Sequence, residues 1–316
     1  MGATHFTGQL FHFGGVPVGS GLPLQVGKAS DGSKVKYVWV DGTNGIASGS
    51  GIGKTPERAY STIAAAIADV NGQIDWSQTR WAPLSVIIIA PGTYAENLTS
   101  MPYGATMIGL GDSLDINGQR GVTIKPASGY PVDITSMINT HVHNICFESP
   151  GASGCFEVEN LNRCIFTHCV FTGVPGASPT TVYGLRVKDE TASDGNGDMT
   201  GTRISDCIFQ VVQNGLHITT DNGSSKQASG NIIEHCYFRG CTATGIYFHP
   251  NCVPSYTQIN HCVVGDGSTT LALGLDDNTG QVNVSWTTFS ATACDPASGD
   301  GDSKYNGCYL NGTLMT

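Results

Sequence analysis

One short pattern recurs along the middle of this chain and limits what it can fold into. Five segments align: Val142-His-Asn-Ile145-Cys-Phe147, Phe166-Thr-His-Cys169-Val-Phe171, Ile204-Ser-Asp-Cys207-Ile-Phe209, Ile233-Glu-His-Cys236-Tyr-Phe238 and Ile259-Asn-His-Cys262-Val-Val264. Each reads apolar, two polar residues, Cys or Ile, any residue, apolar. A weaker sixth copy is Val282-Asn-Val-Ser-Trp286-Thr-Thr-Phe289. A second motif falls between the copies, a Gly followed by a β-prone run: Gly154-Cys-Phe-Glu-Val158, Gly184-Leu-Arg-Val187, Gly215-Leu-His-Ile218, Gly245-Ile-Tyr-Phe248 and Gly274-Leu-Asp-Asp277. From Phe166 the first motif returns in steps of 38, 29 and 26 residues. Repeats of about 20–50 residues are stacked supersecondary units. Here each unit holds short strands and Gly, Asn and Asp turns, with no helical period. No unit buries its own apolar residues. Stacking does so when each strand pairs with its equivalent one coil later. The expected fold is therefore all-β, a parallel β-helix.

Composition agrees. Charged residues make up 13% of the 316, about half the usual share, and 42 glycines are about twice it. The hydrophobic fraction of 40% argues against disorder. Net charge is −10 with no basic run, so nucleic acid is not an expected partner. No segment approaches 18 apolar residues, so no membrane-spanning helix is expected. Residues 1–30 lack the pattern of a secretory signal, and the expectation is synthesis and folding in a cytoplasm.

Cys169, Cys207, Cys236 and Cys262 fill one repeat position and should stack as an inward column of free thiols. Ligands from four coils in a line cannot form a tetrahedral metal cluster. Cys294 and Cys308 flank a polar loop and could pair under oxidising conditions.

In chain order, residues 1–34 are Gly-rich with scattered apolar side chains and read as an arm that orders on a partner, through His5, Phe6, Leu10, Phe11 and Phe13. Val35–Val40 is a strand. Ser48–Thr55 is similar to a phosphate-binding loop but lacks its first Gly, and Pro56 follows at once, which is ordinary helix initiation with Thr55 as N-cap. A helix is expected over 56–70, with Ala59, Ile63, Ala66, Ile67 and Val70 on one face. Ser85–Ala90 is apolar on both faces and suits a buried parallel sheet. The units expected are the arm (1–34), the β-helix (35–290) and a C-terminal cap (291–316).

A strand ending Asp41-Gly42, then Thr55-Pro-Glu-Arg-Ala-Tyr-Ser-Thr-Ile-Ala-Ala-Ala-Ile67, Val86-Ile-Ile-Ile-Ala-Pro-Gly-Thr-Tyr-Ala-Glu96 and Gly104-Ala-Thr-Met-Ile-Gly-Leu-Gly111 resemble the opening of the pectate-lyase-like right-handed β-helix superfamily. The resemblance covers about Val35 to Phe289. It implies a right-handed solenoid whose N-terminal end is plugged by the helix and whose first full coil begins at the Pro-Gly-Thr-Tyr strand. It implies little about activity, since lyases, hydrolases, tailspikes and virion proteins share the fold. The arm, through Ala3-Thr-His-Phe-Thr-Gly8, resembles tailed-phage virion proteins, which implies particle anchoring and a homotrimer.

Stacking the Gly motifs places Glu157, Arg186, His217, Tyr247 and Asp276 in one outward column. Glu157, Arg186 and Asp276 are the candidate catalytic groups, and His217 and Tyr247 candidate ligand-binding ones. Glu157 and Asp276 lie four coils apart, roughly 19 Å at about 4.8 Å per coil, too far for a glycosidase pair. No acidic cluster lies in matching coils for the Ca²⁺-dependent lyase chemistry that the superfamily resemblance implies. A second column, Asn144, His168, Asp206, His235 and His261, reads as polar corner residues bonded to backbone, with a possible effect of protonation on stability. No cofactor or metal is expected. Ca²⁺ at Asp295, Asp300 and Asp302, or in the insertion from Asp189 to Asp198, is the alternative, and a solvated turn is the preferred reading at both.

The preferred reading is a non-enzymatic phage virion protein, a capsid decoration or spike-like homotrimer anchored by its arm to other virion proteins such as the major capsid protein. The alternative is a tailspike-type polysaccharide depolymerase, lyase or glycosidase, or a protein that binds host surface glycan without cleaving it.

Overall fold

The computed structural model describes residues 12–13, 16–17, 36–47, 52–72, 85–111, 121–174, 181–188, 198–219, 226–249, 252–266, 271–277, 282–296 and 304–315. It is a right-handed parallel β-helix with three long sheets. The first sheet starts at Lys36–Val40, Ser85–Ile89 and Thr106–Gly109 and ends at Lys304–Asn306. The second runs from Gly92–Tyr94 to Tyr309–Leu310, so the Pro-Gly-Thr-Tyr strand does open it. The third runs from Val132–Ile138 through Phe156–Asn162, Tyr183–Val187, Asn214–Ile218, Thr244–Phe248 and Leu271–Asp277 to Ala291–Pro296. Every repeat pairs in parallel with its equivalent: Phe166 with Ile204, Ile204 with Ile233, Ile233 with Ile259.

The two sequence motifs turn out to be the two halves of one packing unit. Phe147, Phe171, Phe209 and Phe238 stack inside the second sheet, with ring centroids 5.4, 4.8 and 4.6 Å apart. Their edges lean on the glycines of the third sheet. A Cβ on Gly184 would meet Phe209 Cδ1 at 2.7 Å, and one on Gly215 would meet Phe238 Cδ1 at 2.5 Å. The glycine is absence of volume, required by the ring beside it. Each buried Phe contributes about 1.5–3 kcal/mol by transfer, and each ring pair about 0.5–1.5 kcal/mol more.

The Cys column is inward, buried and free of disulfides. Its chemistry is local. The preceding residue is left-handed in every copy: Asn144, His168, Asp206, His235, His261 and Trp286 have φ between 50° and 59°. That corner brings the next side chain back to the carbonyl two residues earlier. Cys207 Sγ donates to Ser205 O at 3.3 Å, Cys236 Sγ to Glu234 O at 3.2 Å, and Cys262 Sγ to Asn260 O at 3.4 Å. Thr287 Oγ1 makes the same bond to Ser285 O at 3.1 Å, which fixes the register of the sixth copy. Burial pushes the Cys207 thiol up, and likewise Cys164 and Cys241 to about 12, as suits inert packing thiols. The polar column before the thiols is thus a corner device, with Asn144 Nδ2 donating to Gly109 O (2.8 Å) and Gly111 O (2.6 Å).

Three expectations need correction. The helix is Ile63–Asn71, not 56–70; Pro56–Arg58 is a separate 3₁₀ turn, and Ala59–Thr62 is not helical. Tyr60 bridges to Val40 and Ile46, which holds that stretch out of the helix. The N-cap is Thr62, accepting from Ala65 N, and the carboxylate of Glu96 accepts from Ile63 N and Ala64 N at 2.8 and 2.9 Å. Ile63, Ala66, Ile67 and Val70 join the solenoid core as expected, so the helix seals the N-terminal end. Second, parallel pairing continues past 290 to Leu310, where Thr313–Leu314 turns back antiparallel. Third, Cys308 belongs to a seventh copy, Tyr305-Asn-Gly-Cys-Tyr-Leu310, with its Sγ donating to Asn306 O at 3.7 Å, and both it and Cys294 are buried free thiols. In the arm, Phe13 lies in a short antiparallel pairing of His12–Phe13 with Val16–Pro17. His5, Phe6, Leu10 and Phe11 lie outside the described residues.

Candidate functional site

The outward column of the third sheet forms in the register the Gly motifs imply. Glu157 pairs with Arg186, Arg186 with His217, His217 with Tyr247, and Tyr247 with Asp276. Glu157 and Asp276 are four steps apart, as spacing requires, and do not act together. The column also extends beyond both ends: Asp133 precedes Glu157, and Asp295 follows Asp276.

At the first end these side chains condense into a buried charge cluster. Glu157 is 2% exposed. Its Oε1 lies 2.5 Å from Lys188 Nζ and its Oε2 3.3 Å from Arg186 Nη1. Lys188, itself buried, also reaches Asp133 Oδ1 at 3.4 Å. Arg186 donates through Nε to Thr219 Oγ1 at 3.3 Å, and its guanidinium lies 4.8 Å from the Tyr183 ring centroid. Burial, with Glu157 nearby, raises the Tyr130 hydroxyl pKa. An acidic neighbour for Glu157 therefore exists where the sequence suggested none. Sequence reasoning missed Asp133 because its coil lacks the Gly motif, carrying Tyr130-Pro-Val132 instead. It missed Lys188, though Lys188 shares outward parity with Arg186 two residues earlier.

Further along, the column becomes aromatic. His217 stacks on Tyr247 with centroids 4.4 Å apart at 16°, and Tyr183 lies tilted against it at 48°, 4.6 Å away. Burial, with Arg186 and His249 adding, drives its pKa down to about 3. His217 Nδ1 is buried and has no hydrogen-bond partner among the described residues. The faces of His217 and Tyr247 meet each other. A ligand here would be held by hydrogen bonds and charge rather than by stacking on a free ring.

A second polar group sits on the first sheet. Thr167 Oγ1 lies 2.8 Å from His141 Nε2 and 2.7 Å from His143 Nδ1. Burial drives both histidines down to about 4. His168 packs 5.2 Å from His143.

Among the described residues no three His, Cys, Asp or Glu side chains converge to hold a metal. Asp300 and Asp302 lie outside those residues, and of Asp295 only the backbone position is described. Also among the described residues, no helix is long and apolar enough to cross a membrane.

No protein-family profile matches the chain, and no curated protein does. Solved structures resemble it in fold. A pectin methylesterase from Erwinia chrysanthemi matches at 14% identity over 90% of this chain and 92% of its own, with a TM-score of 0.49. The rice weevil pectin methylesterase matches at 12% over 89% and 88%, TM-score 0.48. A pectate lyase matches at 14% over 89% and 78%, TM-score 0.48.

Proposed function

We propose that this chain is a structural protein, a rigid solenoid carried as a homotrimer on a phage particle, as a decoration or spike-like component held by its N-terminal arm. The observation that supports it is the state of Glu157. Both carboxylate oxygens are engaged by cations of the same chain, buried Lys188 and partly buried Arg186, so the strongest candidate acid is consumed in holding coils together. A buried, doubly paired carboxylate is a poor nucleophile or base, because substrate would first have to displace Lys188 or Arg186. The test is copy number in purified particles by quantitative mass spectrometry. Stoichiometry in proportion to the major capsid protein is expected; absence from particles overturns the reading.

One observation favours glycan engagement as a second reading. Asp133 is half exposed beside Lys188, and Tyr247, His249 and Asp276 continue the same outward face with partly exposed polar edges. The neighbouring structures named above act on pectin or pectate, and at their identity they share the fold alone. Retention of the chain on immobilised polysaccharide, lost in Tyr247→Ala, would support binding. Release of new reducing ends would make the protein a depolymerase.

A further inference from the structure

The outward column of the second sheet differs from those of the other two sheets among the described residues. It runs Thr93, Thr123, Cys146, Val170, Ile208, Tyr237, Val263, Thr288, Tyr309 in continuous register. Nine successive positions carry no charge, in a chain of net charge −10. Thr123, Cys146 and Val170 are buried although they point outward. Past them the column opens: Val263 and Tyr309 are each 43% exposed. On the adjoining corner the Trp286 indole is 59% exposed and lies flat over the backbone of Gly307, where a Cβ would come within 2.7 Å of the ring. Leu314, on the reversing strand, extends the same surface.

Charges flank it on both sides. On the side of the first sheet stand exposed Asp206 and, beyond it, Glu234, which Arg203 already pairs. On the side of the third sheet stands Arg239, which forms no ion pair among the described residues, with Asp266 on the next coil and the Glu148–Lys125 pair further back.

We propose that this strip is the contact surface between copies of this chain, arranged about a rotation axis parallel to the solenoid. The inference rests on the homotrimer reading above and assigns its surface. Two copies at −10 repel wherever carboxylates face each other, and the strip is where they do not. Rotation about a parallel axis sets the left flank of one copy against the right flank of the next, so Arg239 of one approaches the Asp206 side of its neighbour. That contact is heterologous and closes into a ring. Size supports the need for the flanks. From Ile208 to Tyr309 the open column spans four steps, about 19 Å, and its strands are two or three residues across, about 10 Å, so about 190 Å². A specific interface takes about 800 Å² from each partner, so the Trp286 corner, Leu314 and both flanks lie in the contact as well.

The experiment is sedimentation velocity of the purified full chain over a hundredfold concentration range. Val263→Glu is expected to shift the trimer to monomer, and Gln258→Glu, an exposed change on the first sheet, is expected to leave it intact. Thermal melts check that each variant folds; Val263 points outward, so its change leaves the core untouched. Arg239→Glu is expected to weaken association at least tenfold, and adding Asp206→Arg to restore most of it. A wild-type monomer at every concentration overturns the homotrimer reading and this inference with it. A wild-type trimer that survives both Val263→Glu and Arg239→Glu overturns the surface assignment alone.

Discussion

The strands of the third sheet carry two columns that obey different rules. Inward, Phe156, Leu185, Leu216, Ile246 and Leu275 repeat one chemistry from coil to coil. Outward, one residue along, Asp133, Glu157, Arg186, His217, Tyr247 and Asp276 change chemistry at each step. Packing explains the first, because each coil must present the same shape to the next. The second is free of that demand, yet Glu157 within it is as buried as the core, between a half-exposed Asp133 and a partly buried Arg186. The comparison teaches that in a solenoid parity decides direction, while burial is decided by what charge and neighbours assemble outside.

The sharpest way to break it is to remove the outer anchor. Glu157→Ala removes the carboxylate shared by buried Lys188 and partly buried Arg186, and should cost about 3 kcal/mol or more. Urea unfolding would measure it; a loss under about 1 kcal/mol would make the cluster incidental. The inner counterpart is Gly215→Ala, whose Cβ would press on Phe238 and Gly245 O at 2.5 and 2.6 Å. About 2–3 kcal/mol should be lost, and Phe238→Leu in the same chain should recover part of it by withdrawing the ring.

Acid probes the partly buried histidines on both outer faces. His141, His143 and His217 have folded pKa values below the unfolded 6.5, at about 4, 4 and 3. The unfolded chain then takes protons first as pH falls. Stability is therefore flat above about pH 6.5 and declines from there towards pH 3–4, by at most about 1.4 kcal/mol per pH unit for each histidine. Melting temperatures from pH 8 to 4.5 should show that fall, shallower in His217→Phe; a rise on acidification would contradict the sign. The smallest effect should be a gain. Val211 holds φ at 54°, which costs a β-branched residue, where the next coil places Gly240 at φ 62°. Val211→Gly should stabilise by about 1 kcal/mol, net of the entropy glycine brings to the unfolded chain.

The fold was legible because two local devices repeat, a corner with its thiol and a glycine under a ring, and both use residue types that substitute poorly. Where substitution is easy the signal faded. Thr287 replaces the thiol with an equivalent donor, and Gly307 replaces the usual polar corner, so the last two copies were weak or unseen. The helix start was misplaced because its true anchor, Glu96, is more than thirty residues away in sequence. The outer cluster was half legible. The register of Glu157 and Arg186 followed from the glycines, while Lys188 and Asp133 joined them through a contact between coils that no local pattern encodes.

A parallel β-helix is chemically an unfinished fibril, since each rung is a template for the next. This chain shuts both ends differently. The helix Ile63–Asn71 lies against the core at one end. At the other, Thr313–Leu314 folds back on Tyr309–Leu310, Lys304 puts a charge on the last strand of the first sheet, and Pro296 deprives the last strand of the third of a donor. Without those stoppers the coils would recruit rungs from other molecules, and growth would continue along the axis. With them, the outermost rungs among the described residues offer no clean edge to a further strand.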